Sequence, residues 1–400
     1  MGVAANVESR GMRWPLTRWD VAGAFGDIGV LFPIAIALIS LNHVNPTAVF
    51  LAAGVTYVLA GRYFQIPMAV QPFKAVAAIA LAMGLSPSSI ASAGLLMGAL
   101  LGLVGVTNLA TKLAKLFTLP IVRGIQLGLG LLLAREGLRL MLSPRSAVVL
   151  EAGRTVAPWE IALVGALLLL AFQGSRRLPA ALVLLTAGIT LGLTAQWGKL
   201  PALGWGPLPL TLLHPHLAEF RRVLPLLVVP QFALTFGNSI VATENTARIL
   251  YGAQARRVTV RGLCLSIGLV NLLGGMIQAP PLCHGSGGVT AHYRFGARNP
   301  RSSYVIGAVC ILLALFGRAA VDLLKLIPAP VLGVLLAYVG IQHAAYLRDI
   351  LRRPQLLIIA AFVGVVSLLT INLMWGFLAG FLLQGILWAI QKTRENRKGA

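Results

Sequence analysis

Carboxylates are scarce in this chain: 11 Asp and Glu residues stand against 33 Lys and Arg in 400. Charged residues of every kind make up 11% of it, less than half the roughly 25% usual in soluble globular proteins, which excludes an ordinary solvated surface. Cysteine is nearly missing too. Cys264, Cys283 and Cys310 each lie in or beside an apolar segment, which excludes a disulfide framework and a Cys-rich metal site. There is no nucleotide-binding P-loop, no zinc-ligand spacing and no nucleophile elbow. ATP-driven pumping by this chain and ordinary hydrolase chemistry are therefore set aside, and no cofactor or metal is expected. The first 18 residues hold Arg10, Arg13 and Arg18 but no apolar core of signal-peptide type, so an uncleaved cytosolic N-terminus is expected.

What the chain does have is apolar length. Hydrophobic residues make up 58% of it and its mean hydropathy is +0.84, values of a protein whose main solvent is lipid. The net charge of +22 would suit a polyanionic partner, but its placement argues for a membrane. With both termini inside, most Lys and Arg fall in cytosolic segments, as the positive-inside rule requires. An anionic membrane surface accounts for the basicity, and no nucleic-acid partner is expected.

Hydropathy predicts full spans near 19–40, 48–64, 90–108, 119–142, 158–173 and 179–195, with a short helix over 73–83. After a linker at 196–222, expected outside the membrane and carrying His214 and His216, it predicts spans near 223–247, 258–276, 302–317, 328–344, 355–370 and 373–391. A second short helix falls over 286–296. The organisation is thus a cytosolic tail (1–18), seven elements (19–195), the linker, seven more elements (223–391) and a cytosolic tail (392–400). Three landmarks recur between the halves. Phe25–Ile28 (FGDI) echoes Phe236–Ile240 (FGNSI), Gln65-x-Pro67 echoes Gln278-x-Pro280, and Pro120 echoes Pro328, at offsets of 211, 213 and 208. Because each half has an odd number of elements, the second copy enters from the opposite side, making an inverted repeat.

The stretch from Gln278 to Arg298, QAPPLCHGSGGVTAHYRFGAR, is the least lipid-like part of the chain. Backbone so rich in Gly and Pro cannot face lipid, because its amides would lack partners, so it must line an enclosed cavity. A helix beginning near Ser286 would aim free N–H groups and its positive dipole end into that cavity, which suits an anion. Gln65–Ala78 repeats the arrangement. Pro67 and Pro72 impose an extended approach, and Phe73, Lys74 and Ala75 would present unpaired N–H groups at a helix start. The expected substrate-binding residues are Gln71, Phe73, Lys74, Asn238, Cys283, His284, Gly285, Ser286, Gly287 and Gly288. Lys74 could instead pair with a neighbouring acid, and His284 could be a structural donor. Asp27 and Glu244, read as the two acids deep in spans, are the expected proton-coupling residues or else partners of Lys74 or Arg123. Arg123 and Gln126 would be a gate, or only packing and an anchor.

Four motifs carry a family resemblance: Phe25–Gly29, Val70–Ala75, Val122–Gln126, and Cys283–Gly288 continuing through Tyr293–Arg298. Together they resemble the molybdate transporter family, which is related to the sulfate permeases, over about 19 to 388. Nine residues follow the last expected span, which resembles the molybdate branch and not the sulfate permeases with an appended cytosolic regulatory domain. The resemblance implies an all-α polytopic protein of 14 transmembrane segments in two inverted seven-segment repeats. Elements 1–4 and 8–11 would form a core, and elements 5–7 and 12–14 a gate. Short broken helices 3 and 10 would hold the anion between them. It implies a secondary importer of molybdate at the cell membrane, homodimeric, with sulfate, tungstate, another anion or a nucleobase as alternative substrates; proton coupling is expected from the intramembrane acids. An intramembrane enzyme using Cys283 or His284 is the competing class, and it would have no need of matched broken helices in both halves.

Overall fold

The computed structural model describes residues 16–107, 109, 118–150, 153–173, 175, 180–195 and 204–398. Most of the expected N-terminal tail and the first eight residues of the expected linker lie outside these. Nearly every described element is a helix, and the predicted span boundaries fall within a few residues of the observed ones.

Local chemistry sets the helix ends. Asn45 caps Pro46–Phe64 by accepting from the Thr47 and Ala48 amides, and Ser86 caps Pro87–Val106 through the Ser89 amide, each with proline as the first helical residue. Gln65 and Gln278, the matched landmarks, both have positive φ, 59° and 56°. Gln65 closes the Pro46–Phe64 helix in the left-handed conformation.

Three predicted elements differ. The first span is broken: Arg18–Ala24 and Ile28–Asn42 are separated at Phe25–Asp27, where the backbone of Ala291 lies against Gly26 with no room for a side chain (2.8 Å to an added Cβ). The span expected at 223–247 is part of a 41-residue helix, Leu217–Arg257, widened by π turns at Leu224–Val228 and Thr235–Val241. The last helix, Leu373–Lys398, runs on through the expected C-terminal tail. The helix after Leu315 turns by 82° into Gly317–Lys325, which hydropathy did not reveal. Among the described residues six helices are long and apolar enough to cross a bilayer, or seven if that bent pair is one span. Five others, including Pro158–Phe172, Val260–Met276 and Pro354–Thr370, are apolar but shorter than 18 residues.

The most extensive helix contacts join the two halves of the chain. Pro46–Phe64 packs on Arg301–Leu315, Pro87–Val106 on Val260–Met276, and Leu119–Leu142 on Ala329–Ala344. In lipid no hydrophobic drive separates helices from their surroundings, so close backbone approach supplies the attraction. Along the last pair Gly130 faces Gly340 and Gly137 faces Gly333; a Cβ on Gly137 would sit 2.5 Å from the Gly333 carbonyl oxygen. Gly137→Leu should therefore destabilise the protein by about 1–3 kcal/mol, read as a lowered melting temperature in detergent. Gly102→Ala, whose Cβ would meet nothing within 4 Å, should leave that temperature unchanged.

Candidate functional site

At the centre, two extended segments pair across the halves. Gln71–Pro72 and Leu282–Cys283 form a two-residue antiparallel bridge with Gln71 opposite Cys283 and Pro72 opposite Leu282. The Phe73 amide donates to the Pro281 carbonyl at 2.7 Å. Asn271 secures the second segment, its Nδ2 donating to the Leu282 carbonyl and its Oδ1 accepting from the Leu282 amide, both at 2.8 Å. Short helices leave the two strands, Lys74–Met83 and Ser286–Arg294, with their N-termini at the bridge.

These N-termini are only partly free. The Ala75 and Val76 amides donate to Gln231 Oε1 at 2.9 and 3.2 Å. Of the three donors expected from Phe73, Lys74 and Ala75, the Lys74 amide alone lacks a partner among the described residues. The Pro281 carbonyl has taken the place expected for the anion on Phe73, and a carboxamide from the other half has taken it on Ala75. At the second helix the Gly288 and Val289 amides bond back to the Gly285 carbonyl, which leaves those of Ser286 and Gly287. Lys74 is 6% exposed, and among the described residues its ammonium makes no ion pair or hydrogen bond. It lies within electrostatic reach of Asp27, Cys283 and His343.

The remaining expected residues divide into those at the cavity and those behind it. Asn238, on the second π turn, accepts from the Ser286 hydroxyl at 3.1 Å and keeps its amide hydrogens. Gly287 faces Tyr346, whose hydroxyl would lie 3.1 Å from an added Cβ. Gly285 and Gly288 have a different purpose: Gln71 Oε1 and Asp27 Oδ1 occupy the space their Cβ atoms would need, at 2.5 and 2.6 Å. Gln71 donates to Asp27 Oδ1, and its Oε1 has no hydrogen-bond partner among the described residues. Asp27 is buried at the break in the first span beside Tyr57, and its Oδ2 has no hydrogen-bond partner among the described residues. Phe73 and Cys283 are buried in the bridge.

Two expectations change. Both ring nitrogens of His284 are occupied: Nδ1 meets the Ala69 carbonyl at 2.8 Å and Nε2 the Ser266 hydroxyl at 2.9 Å. Since a carbonyl can only accept, Nδ1 carries the hydrogen and Nε2 accepts, and the ring fastens the strand instead of facing an anion. Glu244 is not deep in the protein. Its side chain is 20% exposed and pairs with Arg248 one turn on, at 2.6 Å, not with Lys74 or Arg123.

Sequence reasoning missed the far wall. Arg123 is paired with Asp349, donates to Gln126 Oε1 at 2.9 Å and lies over the Tyr346 ring at 5.6 Å. Tyr346 in turn packs on His343, a buried histidine whose Nδ1 has no hydrogen-bond partner among the described residues. The signal was available in Asp349, one of few acids, three residues after a tyrosine at a helix end, but only the fold pairs it with Arg123.

The converging groups are thus donors: one ammonium, three backbone amides and one carboxamide. A profile described as "Molybdate transporter of MFS superfamily" matches residues 20–133 and 224–342, which include Asp27, Lys74, Asn238, Ser286 and Gly287. This chain belongs to that molybdate transporter family. It is therefore a multi-pass membrane transporter and not an enzyme. Molybdate transporter 2 of Arabidopsis thaliana is 28% identical over 82% of this chain and 79% of its own. Molybdate transporter 1 of Chlamydomonas reinhardtii is 29% identical over 92% and 91%. Among solved structures, the transmembrane domain of the cyanobacterial bicarbonate transporter BicA superposes with a TM-score of 0.65 at 18% identity, covering 92% of this chain and 98% of that one. SLC26A9 superposes with a TM-score of 0.67 at 16% identity over 93% of this chain and 65% of its own. The molybdate transporter family member described here shares their fold.

The cap supplied by Gln231 is open to test. Gln231→Leu leaves two buried amides without an acceptor and should cost about 1–2 kcal/mol, lowering the melting temperature. Gln231→Glu retains the acceptor and should recover most of that loss.

Proposed function

We propose that the protein imports a tetrahedral oxyanion, molybdate first, as a secondary transporter working by alternating access, with the anion held between the starts of Lys74–Met83 and Ser286–Arg294. The observation that carries this reading is the buried, unpaired Lys74 beside the free amides of Lys74, Ser286 and Gly287. An intramembrane ammonium without a protein partner is costly, and an anion would offset that cost. Donors fixed on two helix starts suit an oxyanion, which accepts hydrogen bonds at every oxygen. Sulfate and tungstate have the same shape and charge and are the alternative substrates. The planar nucleobase is disfavoured because the site offers donors and no aromatic stacking pair.

The fourteen-segment inverted repeat is part of this proposal, with halves at 19–195 and 223–391, a core of elements 1–4 and 8–11, and a gate of the rest. Packing supports it. The second element of the first half lies on the fourth of the second, and the fourth of the first lies on the second of the second, while the two fifth elements pair with each other. A two-fold relation between halves requires that reciprocity. A cell-membrane location with cytosolic termini follows from the distribution of Lys and Arg, and a homodimer from the family resemblance.

Proton coupling also belongs to the proposal. A dianion entering an inside-negative cell is opposed by about 4.6 kcal/mol per 100 mV, so accumulation needs co-transported positive charge. Asp27 is the better carrier. It is buried, has an open carboxylate oxygen and lies beside both Gln71 and Lys74, whereas Glu244 is partly exposed and paired with Arg248.

Uptake of labelled molybdate into proteoliposomes, with sulfate, tungstate and uracil as competitors and with or without a proton gradient, tests the whole reading; no uptake of any oxyanion would overturn it. Lys74→Ala should weaken molybdate binding tenfold or more by calorimetry, with partial retention in Lys74→Arg, which keeps the charge but misplaces it. Asp27→Asn should retain molybdate exchange and lose gradient-driven accumulation, whereas Glu244→Gln should keep both.

A further inference from the structure

Away from the central site, a groove of about 760 Å³ opens between Pro46–Phe64 and Val260–Met276. Its mouth is lined by Arg62, Tyr63, Gln65 and Arg257, and its inner wall by Leu59, Leu265, Leu269 and Val270, with Ser266 and Gly262 at the floor. The two kinds of lining are segregated along the helix axes. Leu59 lies about one helical turn inward from Tyr63, and Leu265 and Leu269 lie about one and a half and two and a half turns inward from the start of their helix. The apolar wall faces outward, since Leu59 is 49% and Leu269 55% exposed. Neither arginine has a carboxylate partner among the described residues, and Arg257 only donates to the Tyr63 carbonyl at 3.3 Å. Arg256 and Arg261 add charge at the same end.

A paired positive mouth above a lipid-facing apolar wall is the complement of one kind of molecule. We propose that this groove binds an anionic phospholipid, its phosphate between Arg62 and Arg257 and one acyl chain along Leu59, Leu265 and Leu269. A free phosphate would use the arginines but leave the wall bare; a zwitterionic lipid would cover the wall but bring its own cation to two arginines. The positive end of the Val260–Met276 helix reinforces the preference for an anion.

The groove also touches the layer that holds the transport site. Ser266, on its floor, donates to His284, which in turn donates to the Ala69 carbonyl. Tyr63, at its mouth, packs edge-on to Phe64, and Phe64 edge-on to His284, with ring centroids 4.9 and 5.5 Å apart. A bound lipid therefore fixes groups that fasten the Leu282–Cys283 strand and the start of Ser286–Arg294. The lipid site stands on the groove itself and is independent of which anion is carried.

The test reads lipid, not transport. Purified protein exchanged into phosphatidylcholine, or into phosphatidylcholine with phosphatidylglycerol, is examined by native mass spectrometry and thermal unfolding. Wild type should retain phosphatidylglycerol over phosphatidylcholine at least fivefold and melt several degrees higher with it. Arg62→Ala with Arg257→Ala should lose both effects while melting as wild type in phosphatidylcholine alone. Leu269→Trp, which fills the outward wall without touching the charges, should also lose lipid retention and covers the case in which the double variant misfolds. Equal retention of the two lipids by wild type, or equal phosphatidylglycerol retention by wild type and the Leu269→Trp protein, would overturn the proposal. So would inorganic phosphate alone reproducing the thermal shift, which would make the groove a free-anion site.

Discussion

The constraint on which the structure depends is that backbone inside a membrane must have partners. Two extended segments lie in the middle of the bundle, where neither water nor a regular sheet can satisfy them, and they satisfy each other: Gln71–Pro72 on Leu282–Cys283, extended by the Phe73 amide on Pro281. Once that bridge exists, much else is dictated. Prolines can occupy it because they need no donor, glycines must follow it because Gln71 and Asp27 press on the backbone, and Asn271 and His284 must surrender their polar atoms to hold it. The free donors at the centre are what remains after these demands are met.

The same demands explain why few groups at the centre are free. Most polar side chains near it are committed to protein partners, so few groups are left to meet a ligand. Gln231 fills one helix start, Gln71 holds Asp27, and Ser286 is oriented by Asn238. What survives is a fixed set of donors in a poorly hydrated setting, where a hydrogen bond to an ion is stronger than in water and where rearrangement is costly. The selectivity proposed for a compact, multiply charged anion would rest on that rigidity as much as on charge.

Much of the fold was legible because hydropathy and proline placement act locally. The two short helices fall where hydropathy and proline placement put them, and the matched landmarks share backbone features that the sequence did not announce: Gln65 and Gln278 both have positive φ, and FGDI and FGNSI both depart from regular helix. Residue types alone were weaker guides to the site. His284 and Lys74 are both polar groups beside a helix start, yet one is fully hydrogen-bonded within the protein and the other is unpaired; the difference lies in Ala69 and Ser266, which no linear spacing connects to His284. Glu244 looked buried because its span is apolar on average, but its side chain is partly exposed on that helix, where Arg248 one turn later meets it. Tyr346 and Asp349 were invisible for the same reason: their importance comes from Arg123, more than two hundred residues away.

The bridge between halves has a consequence in time. A strand at residues 71–72 whose strand partner is at 282–283 must wait for some two hundred further residues to be made, about 10–40 s at common rates of synthesis of 5–20 residues per second. Through that interval the first half sits in the bilayer with its central backbone unsatisfied and the Ala75 and Val76 amides still lacking Gln231. The nascent chain must shelter this segment in some other way, by water held in the half-built cavity, by transient helix, or by the insertion machinery itself. Biogenesis of such a protein is thus most exposed not at its ends but halfway through, when it is a membrane protein without a middle.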